Sequence, residues 1–578
     1  MKPFRKLYFG LLYILPAILF FSYYPVIRLG SNSSMNFELS LSLIWLVIFD
    51  IIAFVGMVSC SRPSFNRKLK VVTQKALKRP SATNGERNER SSARNDGSEQ
   101  ACRVGLFGLQ YRGISDRKFF LFALFPLYAT LSIFWSSNHT RAILTAGIIW
   151  LLFFAIFAIV YLSPLFGLPS KFRPTLLKAF FISSIIICVV CWGQCILDVC
   201  GISREHTLLC AGCVSQTFGF PHPSGFAIEP QFMGNLLLAS TLLSLWVLTK
   251  PKIRVATVAV LAFLFSSTLF LTFSRGAIYA FAVALVILLI FTIAQHKFRP
   301  ALIFIPVTAF IFTLIAQGIF SVVGPTRETF VSGVTKSIHQ LSLGIIDLRP
   351  QEITIREEVN QVLHEYATEH PSSLVAQRME ESKFDGYIAE STDIRLGLNS
   401  IALQTWFAAP GANLRTVRIG HDCPHNSFFN DTCASYTVIN YNRYSILFGV
   451  GLGSAGTAMH RAFPEVITTP KEIVQNQPIS LLLELGLIGI ILIVFSLLLA
   501  FCPQIFPAKF VDGRSATTKP TSTFWQHPAL PLLLSLIVAY LVTLQFFSGL
   551  PNALQIYLLP PLLYFALQGN EKPIALSK

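Results

Sequence analysis

The chain has 578 residues, of which 53% are hydrophobic and only 13% charged, with 51 Phe and a mean hydropathy of +0.58. That leaves too little polar surface to coat a soluble globule, so the composition excludes one and predicts an all-α polytopic membrane protein. The net charge of +17 would suit a nucleic-acid partner, but the basic residues lie mostly in alternate short loops, where they set the orientation of a membrane protein.

Met1-Lys2-Pro3-Phe4-Arg5-Lys6 precedes a first span at about Leu7 to Ile27, long enough at about 1.5 Å per residue to cross ~30 Å of hydrocarbon. Its length, Pro16, Pro25 and the absence of a small-residue cleavage pattern argue against a signal peptide. A second span, about Leu39 to Val58, runs into a basic segment with Arg62, Arg67, Lys68, Lys70, Lys75, Lys78 and Arg79. The Ser/Asn/Arg/Gly/Glu-rich stretch Pro80 to Gln100 has almost nothing apolar to bury, so 61–118 is expected to be a largely disordered cytoplasmic loop. Anionic lipid explains its charge without nucleic acid.

Further spans are predicted at about Phe119 to Trp135, Ala142 to Leu162, Ala179 to Leu197, Phe226 to Leu248, Val255 to Phe273, Gly276 to Ala294 and Ala301 to Ile319. After a long polar insert, Ser321 to Gln475, come Ile479 to Phe501, Ala529 to Phe547 and Ala553 to Leu567, about twelve in all. The chain thus divides into 1–60, the loop 61–118, spans three to nine in 119–320, the insert 321–478, and the last three spans with the tail in 479–578. A cytoplasmic N-terminus puts Lys171, Arg173 and Lys178, then Lys250, Lys252 and Arg254, then His296, Lys297 and Arg299, then Lys509, Arg514 and Lys519, and finally Lys572 and Lys578, all inside. The opposite orientation reverses every cluster against the positive-inside bias. The insert therefore faces outward.

Cys200, Cys210 and Cys213 fall in one outer loop and Cys423 and Cys433 in the insert, where oxidation is allowed. Zinc binding by Cys210-Ala211-Gly212-Cys213 needs ligands from the insert, so a Cys423–Cys433 disulfide is preferred and no metal site is expected. Cys188, Cys191 and Cys195 stand at helical spacing within a span and read as packing residues. In the insert, Gln351 to Ala367 and Asp393 to Trp406 look helical. Ile394, Leu398, Ile401 and Thr405 share one face of the second, with Arg395 beside it as a solvated or snorkelling residue on the plain reading.

Thr272-Phe273-Ser274-Arg275-Gly276-Ala277 lies at an outer boundary, and Ile394-Arg395-Leu396 precedes a Trp. A glycine run follows, Gly449-Val450-Gly451-Leu452-Gly453-Ser454, and then Leu483-Glu484-Leu485-Gly486-Leu487-Ile488-Gly489 after the insert. These motifs, in this order on this topology, resemble the O-antigen ligase and O-antigen polymerase superfamily. The resemblance covers most of the chain, least the first hundred residues and the middle of the insert. It implies transfer of a glycan from a polyprenyl-diphosphate donor to a glycan, lipid or protein acceptor at the outer face of the cytoplasmic membrane, without a cofactor. Such chemistry needs cations for the departing diphosphate and a group to take the acceptor's proton.

Arg275 and Arg395 match the family's functional arginines, and a guanidinium suits phosphate because its fork is planar and permanently charged. Arg275 is the only basic residue in its tight outer turn, against the inside bias; an interfacial anchor is the plain alternative. In the ligase branch a His-Asn pair stands nine residues before the Glu of the Leu-Glu-Leu-Gly segment, but here that place holds Gln475-Asn476. An amide does not titrate, so Gln475 can orient but not accept a proton, which fits the polymerase branch better. His425-Asn426 imitates the missing pair on the wrong side of the glycine run, and His460 is a nearer substitute or an ordinary loop histidine.

Glu229, ahead of Pro230, is either a base or partner for Arg275 or a favourable acid at a helix start. Glu484, a turn or two inside its span, is either a buried polar partner or a packing residue. Gly449, Gly451 and Gly453 are expected to offer backbone N–H groups to a diphosphate, with Asn476 beside them, or to form a tight turn. The run Gly451 to Gly456 formally fits a dinucleotide fingerprint but lacks a βαβ unit. A transporter or flippase that only binds an anionic lipid headgroup stays open, as does an inactive relative. No paired interrupted helices or hydropathy repeats favour the transporter.

Overall fold

The structure, a computed structural model, describes residues 2–20, 27–29, 37–61, 116–163, 166, 172–200, 214–215, 222–227, 229–250, 254–324, 329–342, 346, 348, 387–407, 414–418, 435–439, 445–463, 467, 474–501, 529–546, 550 and 554–567. The basic loop, the Gln351 to Ala367 helix, His425 and the cysteines at 210, 213, 423 and 433 lie outside these residues.

The described chain is helical and membrane-embedded. Seven helices are long and apolar enough to cross a membrane, and four shorter apolar helices, Leu121–Trp135, Val255–Leu271, Leu530–Thr543 and Leu554–Leu567, accompany them. In chain order the helices are α1 (Lys2–Ile18), α2 (Leu41–Ser61), α3 (Asp116–Leu131), α4 (His139–Phe157, continued by a π-turn at Ala158–Leu162), α5 (Phe172–Val199), α6 (Pro230–Leu248), α7 (Val255–Leu271), α8 (Arg275–Ala294) and α9 (Ala301–Val323). The insert contributes α10 (Phe330–Leu341), α11 (Tyr387–Trp406), a short α12 (Ser445–Phe448) and α13 (Ala455–Ala462). The chain returns through α14 (Gln477–Phe501), α15 (Leu530–Thr543) and α16 (Leu554–Leu567). The sequence boundaries fall short at α5, which begins near Phe172 instead of Ala179, and at α11, which begins at Tyr387 instead of Asp393.

Three two-stranded antiparallel pairings interrupt the helices: β1 (Ile27–Leu29) with β2 (Phe37–Leu39), β3 (Val214–Ser215) with β4 (His222–Pro223), and β5 (Leu414–Arg418) with β6 (Ser435–Ile439). None was expected from the hydropathy pattern, since pairs this short bury no periodic face.

Helix α6 is central. It is the least apolar of the seven, at a mean hydropathy of 1.5, yet 94% of its 18-residue apolar window is buried. It carries Asn235, Ser240, Thr241 and Ser244, polar residues that a helix facing protein bears more easily than one facing lipid. Ser240 Oγ, for example, meets Ser184 Oγ of α5 at 2.7 Å. Around α6 pack α5, α7, α8, α9, α15 and α16. Outer helices instead expose apolar stripes such as Ile182, Ile186 and Val189 on α5, as lipid contact requires. Cys188, Cys191 and Cys195 sit on the buried side of α5, as expected of packing residues.

Basic groups gather at one end of the bundle. Lys250 lies 3.9 Å above the Trp246 ring, Arg299 donates to the Lys250 carbonyl at 3.4 Å, and Arg173 lies over Phe565 at 5.2 Å. The N-termini of α6, α8 and α14 and the C-terminus of α15 meet at the other end. Gln231 Nε2 donates to the Phe546 carbonyl at 3.2 Å, Gln477 N–H to that of Leu544 at 2.9 Å, and Gly276 packs on Phe546.

Candidate functional site

At the end away from the basic cluster, two structures carry the residues singled out by sequence. The first is a break in α14. At Gly486 the backbone leaves the helix (φ 64°, ψ −170°), freeing carbonyls from the last turn of the first half. The glycine run fills the break: Val450 N–H donates to Leu483 O and Gly451 N–H to Glu484 O, both at 2.9 Å. Tyr128 OH of α3 donates to Leu485 O at 2.8 Å. The two backbones approach so closely that a Cβ on Gly449 (φ +71°) would stand 2.3 Å from the Glu484 carbonyl, and one on Gly486 2.3 Å from that of Leu447. Only glycine fits either place. The sequence reading found no paired interrupted helices; this single break is masked because the broken stretch stays apolar.

The Glu484 carboxylate points into the same seam. It accepts the Ala455 N–H at 3.3 Å, faces the Gly453 N–H, and feels the charge of Arg141 at the start of α4. Ser454 Oγ and Ser136 Oγ meet at 2.7 Å, and Ser136 Oγ donates to Leu452 O at 2.9 Å. The N–H groups of Gly451 and Gly453 are thereby engaged inside the protein, so the glycines work here as a tight turn locking α14 to α3 and α4. Arg141, in the first turn of α4, escaped the sequence reading.

The second structure is the α7–α8 turn. Phe273 adopts φ +49°, a left-handed conformation that a bulky residue takes only when its surroundings impose it. Ser274 N–H bonds Thr272 Oγ1 at 3.3 Å, and Arg275 opens α8, half-buried. Against the Phe273 ring lies the imidazole of His222, centroids 5.0 Å apart and planes 14° from parallel. His222 is 4% exposed. Burial first, and the Arg275 charge second, push it from 6.5 down to about 3, so it is neutral at physiological pH. Its loop is clamped to α5 by Gln194, which donates to Gly225 O and accepts the Gly225 N–H, each at 2.9 Å. Nothing in the sequence around His222 marks it, because the partner that gives it meaning lies fifty residues away.

Beneath this turn, three polar groups on three helices lack hydrogen-bond partners among the described residues: the Asn235 amide, the Ser274 hydroxyl and the Thr543 hydroxyl. Their three helices pack on one another. A Cβ on Gly234 would sit 3.1 Å from Ser274 Oγ, Tyr540 OH donates to Asn235 O at 3.2 Å, and Thr543 follows Tyr540 by a turn on α15.

Of the other sequence candidates, Glu229 is the exposed N-cap of α6 and makes no capping bond with its side chain. Asn476 caps α14 by accepting the Ile479 N–H at 3.1 Å and ties it to α15 by donating to Gln545 O at 3.1 Å. Gln475 beside it is exposed. Arg275, Glu229 and the Gln475–Asn476 pair thus share one end of the bundle, joined through the Gln545–Phe546 turn. Arg395 is half-buried on α11, whose Leu398 and Ile401 pack with Val474 and Leu483 of the α14 entry. That face, with buried Thr405, is the one the sequence periodicity predicted. His460 Nδ1 donates to the Ile467 carbonyl and belongs to the α13 turn.

The class these features define is an all-helical, membrane-embedded protein with a polar, arginine-bearing site at one end of its bundle. No protein-family model matches the chain, and no curated protein does.

Proposed function

We propose that this protein is a membrane glycosyltransferase of the O-antigen ligase and polymerase type, which transfers or polymerises a glycan from a polyprenyl-diphosphate carrier in surface polysaccharide synthesis. On this reading the eleven apolar helices and α1 make twelve crossings of the cytoplasmic membrane. Both termini are cytoplasmic and the Arg275 end faces outward. The observation that carries it is the placement of Arg275, Glu229 and Gln475–Asn476 around the Gln545–Phe546 turn, at the end of the bundle opposite Lys250, Arg299 and Arg173. The basic end suits the cytoplasmic face, which leaves Arg275 to meet the donor's diphosphate.

In the mechanism, the Arg275 guanidinium holds phosphate oxygens and stabilises the charge that grows as the carbon–oxygen bond to the diphosphate breaks. Arg395, on the helix packed against the α14 entry, supplies a second cation. Gln475 orients the acceptor hydroxyl, and Glu229 is the exposed carboxylate available to take its proton. The α14 seam with Glu484 and the glycine run holds these parts in register.

The test is glycan transfer by purified protein in lipid, given a polyprenyl-diphosphate oligosaccharide. A ladder of lengthening lipid-linked glycan, abolished by Arg275→Ala and Arg395→Ala, identifies a polymerase; a single transfer identifies a ligase. Transfer that survives both substitutions removes the mechanism.

The interruption of α14 at Gly486 favours a second reading, a flippase or non-catalytic binder of lipid-linked glycan, because transporters use broken helices to hold substrate. Against it, the freed carbonyls of Leu483, Glu484 and Leu485 are already bonded to the protein. Movement of labelled donor between leaflets without transfer would favour this reading.

A further inference from the structure

We infer that the α8–α9 turn and the two residues flanking the α6–α7 connection, Lys250 and Arg254, form a site for the phosphate of an anionic phospholipid, with Arg299 at its centre. The inference needs only that the bundle sits in a membrane and does not depend on glycan transfer.

The backbone sets the cations. Helix α8 closes in a Schellman turn: Lys297 N–H donates to Thr292 O at 2.8 Å and His296 N–H to Ile293 O at 2.9 Å, with His296 left-handed at φ +55°. The turn sends Lys297-Phe298-Arg299 toward the end of α6. There Arg299 Nη2 donates to Lys250 O at 3.4 Å, and the Lys250 ammonium lies 3.9 Å above the Trp246 ring. Arg254 is the N-cap of α7. Thr313 Oγ1 of α9 donates to Ser267 O of α7 at 3.1 Å, and the two residues stand equally far from their helix starts. Helices α7 and α9 therefore run side by side in register, and Arg254 and Arg299 enter the bundle at one level.

These cations lack acids nearby in the chain. The sequence has no acidic residue from Pro230 to Arg327, so neither connection carries a counter-charge of its own. Like charges held together by backbone contacts repel, and an anion among them is attracted to all. Among the described residues Arg299 gives one nitrogen to the Lys250 carbonyl, which leaves the rest of its planar fork for phosphate oxygens.

The surroundings select the anion. Phe298, between Lys297 and Arg299, is exposed, the placement of an aromatic ring at a membrane–water boundary. Within the first two turns of the helices, Val260 on α7 and Phe304 and Val307 on α9 are exposed and apolar, so an anion seated on the arginines has hydrocarbon beneath it. A soluble phosphate meets only the cations. A phospholipid meets both, its phosphate on Arg299 and its chains along α7 and α9.

The experiment is native mass spectrometry of the full-length protein titrated with phosphatidylglycerol or with phosphatidylcholine of the same chains. Wild type, Arg299→Gln, Lys297→Gln and Lys178→Gln are compared after melting curves confirm folding. Lys178 is an exposed residue in the second turn of α5 and removes the same charge away from the site. Wild type is expected to bind phosphatidylglycerol more tightly than phosphatidylcholine. Arg299→Gln and Lys297→Gln should each weaken phosphatidylglycerol about fivefold and leave phosphatidylcholine and the Lys178→Gln affinities unchanged. Lys297 is exposed, so its variant decides the test if Arg299→Gln does not fold. Equal affinity for the two lipids overturns the proposal, and so does an equal loss in Lys178→Gln, which would mark a diffuse surface charge. Displacement of the bound lipid by millimolar glycerol 3-phosphate would also overturn it, in favour of a soluble phosphate ester.

Discussion

The α14 seam and the α7–α8 turn both contain left-handed backbone, yet they treat it oppositely. In the seam the left-handed residues are Gly449, Gly451, Gly453 and Gly486, and the freed carbonyls of Leu483, Glu484 and Leu485 are each met by a neighbouring donor. In the turn the left-handed residue is Phe273, and below it the Asn235, Ser274 and Thr543 side chains go unmatched among the described residues. Satisfied polar groups and unstrained glycines make a scaffold; unmatched polar groups and a forced side chain are what a working site retains. On the proposed reading, the first region supplies stability and the second chemistry.

Breaking the seam should have the largest effect. Gly449→Ala or Gly486→Ala sets a Cβ against backbone that cannot yield, and is expected to cost about 3 kcal/mol or more. The check is loss of folded, monodisperse protein or a collapse in melting temperature in detergent. Arg275→Ala should do the reverse: glycan transfer falls roughly 10²- to 10³-fold while the melting temperature barely moves.

Glu484→Gln keeps the shape of the seam but weakens the acceptor of the Ala455 N–H. About 1 kcal/mol of stability should go with it, seen as an earlier thermal transition.

His222 supplies a pH signature for the turn. Its folded value of about 3 lies below the ordinary 6.5, so between those limits the unfolded chain binds more protons than the native one. Stability is therefore lost as pH falls from about 6.5 toward 3. In His222→Gln the melting temperature should depend less on pH in that window, and an unchanged slope would count against burial of a neutral imidazole.

Thr543→Val tests the unmatched groups with the smallest effect. Removing a hydroxyl that has no partner should leave stability unchanged or raise it by about 1 kcal/mol. If the melting temperature instead drops by several degrees, the hydroxyl has a partner and the contrast between the two regions weakens.

A buried acid outside both regions also went unread. Asp50 lies in the middle of the Leu41–Val58 span, 5% exposed, with neither carboxylate oxygen hydrogen-bonded among the described residues. A lone acid inside an apolar run is a signal in its own right, and it was legible in the sequence.

By itself the sequence determined the class of the protein, the rough place of its apolar helices, the outlying arginine of the α7–α8 turn and the buried face of α11. Each of these follows from hydrophobic content, charge placement or a 3.6-residue period, all carried by residues close together in the chain. The tertiary structure alone decided that the glycine run plugs a broken helix, that Glu484 accepts the Ala455 N–H, and that His222 stacks on Phe273. Those pairings join residues far apart in sequence, and their energy comes from close approach and shared burial, which no local pattern records.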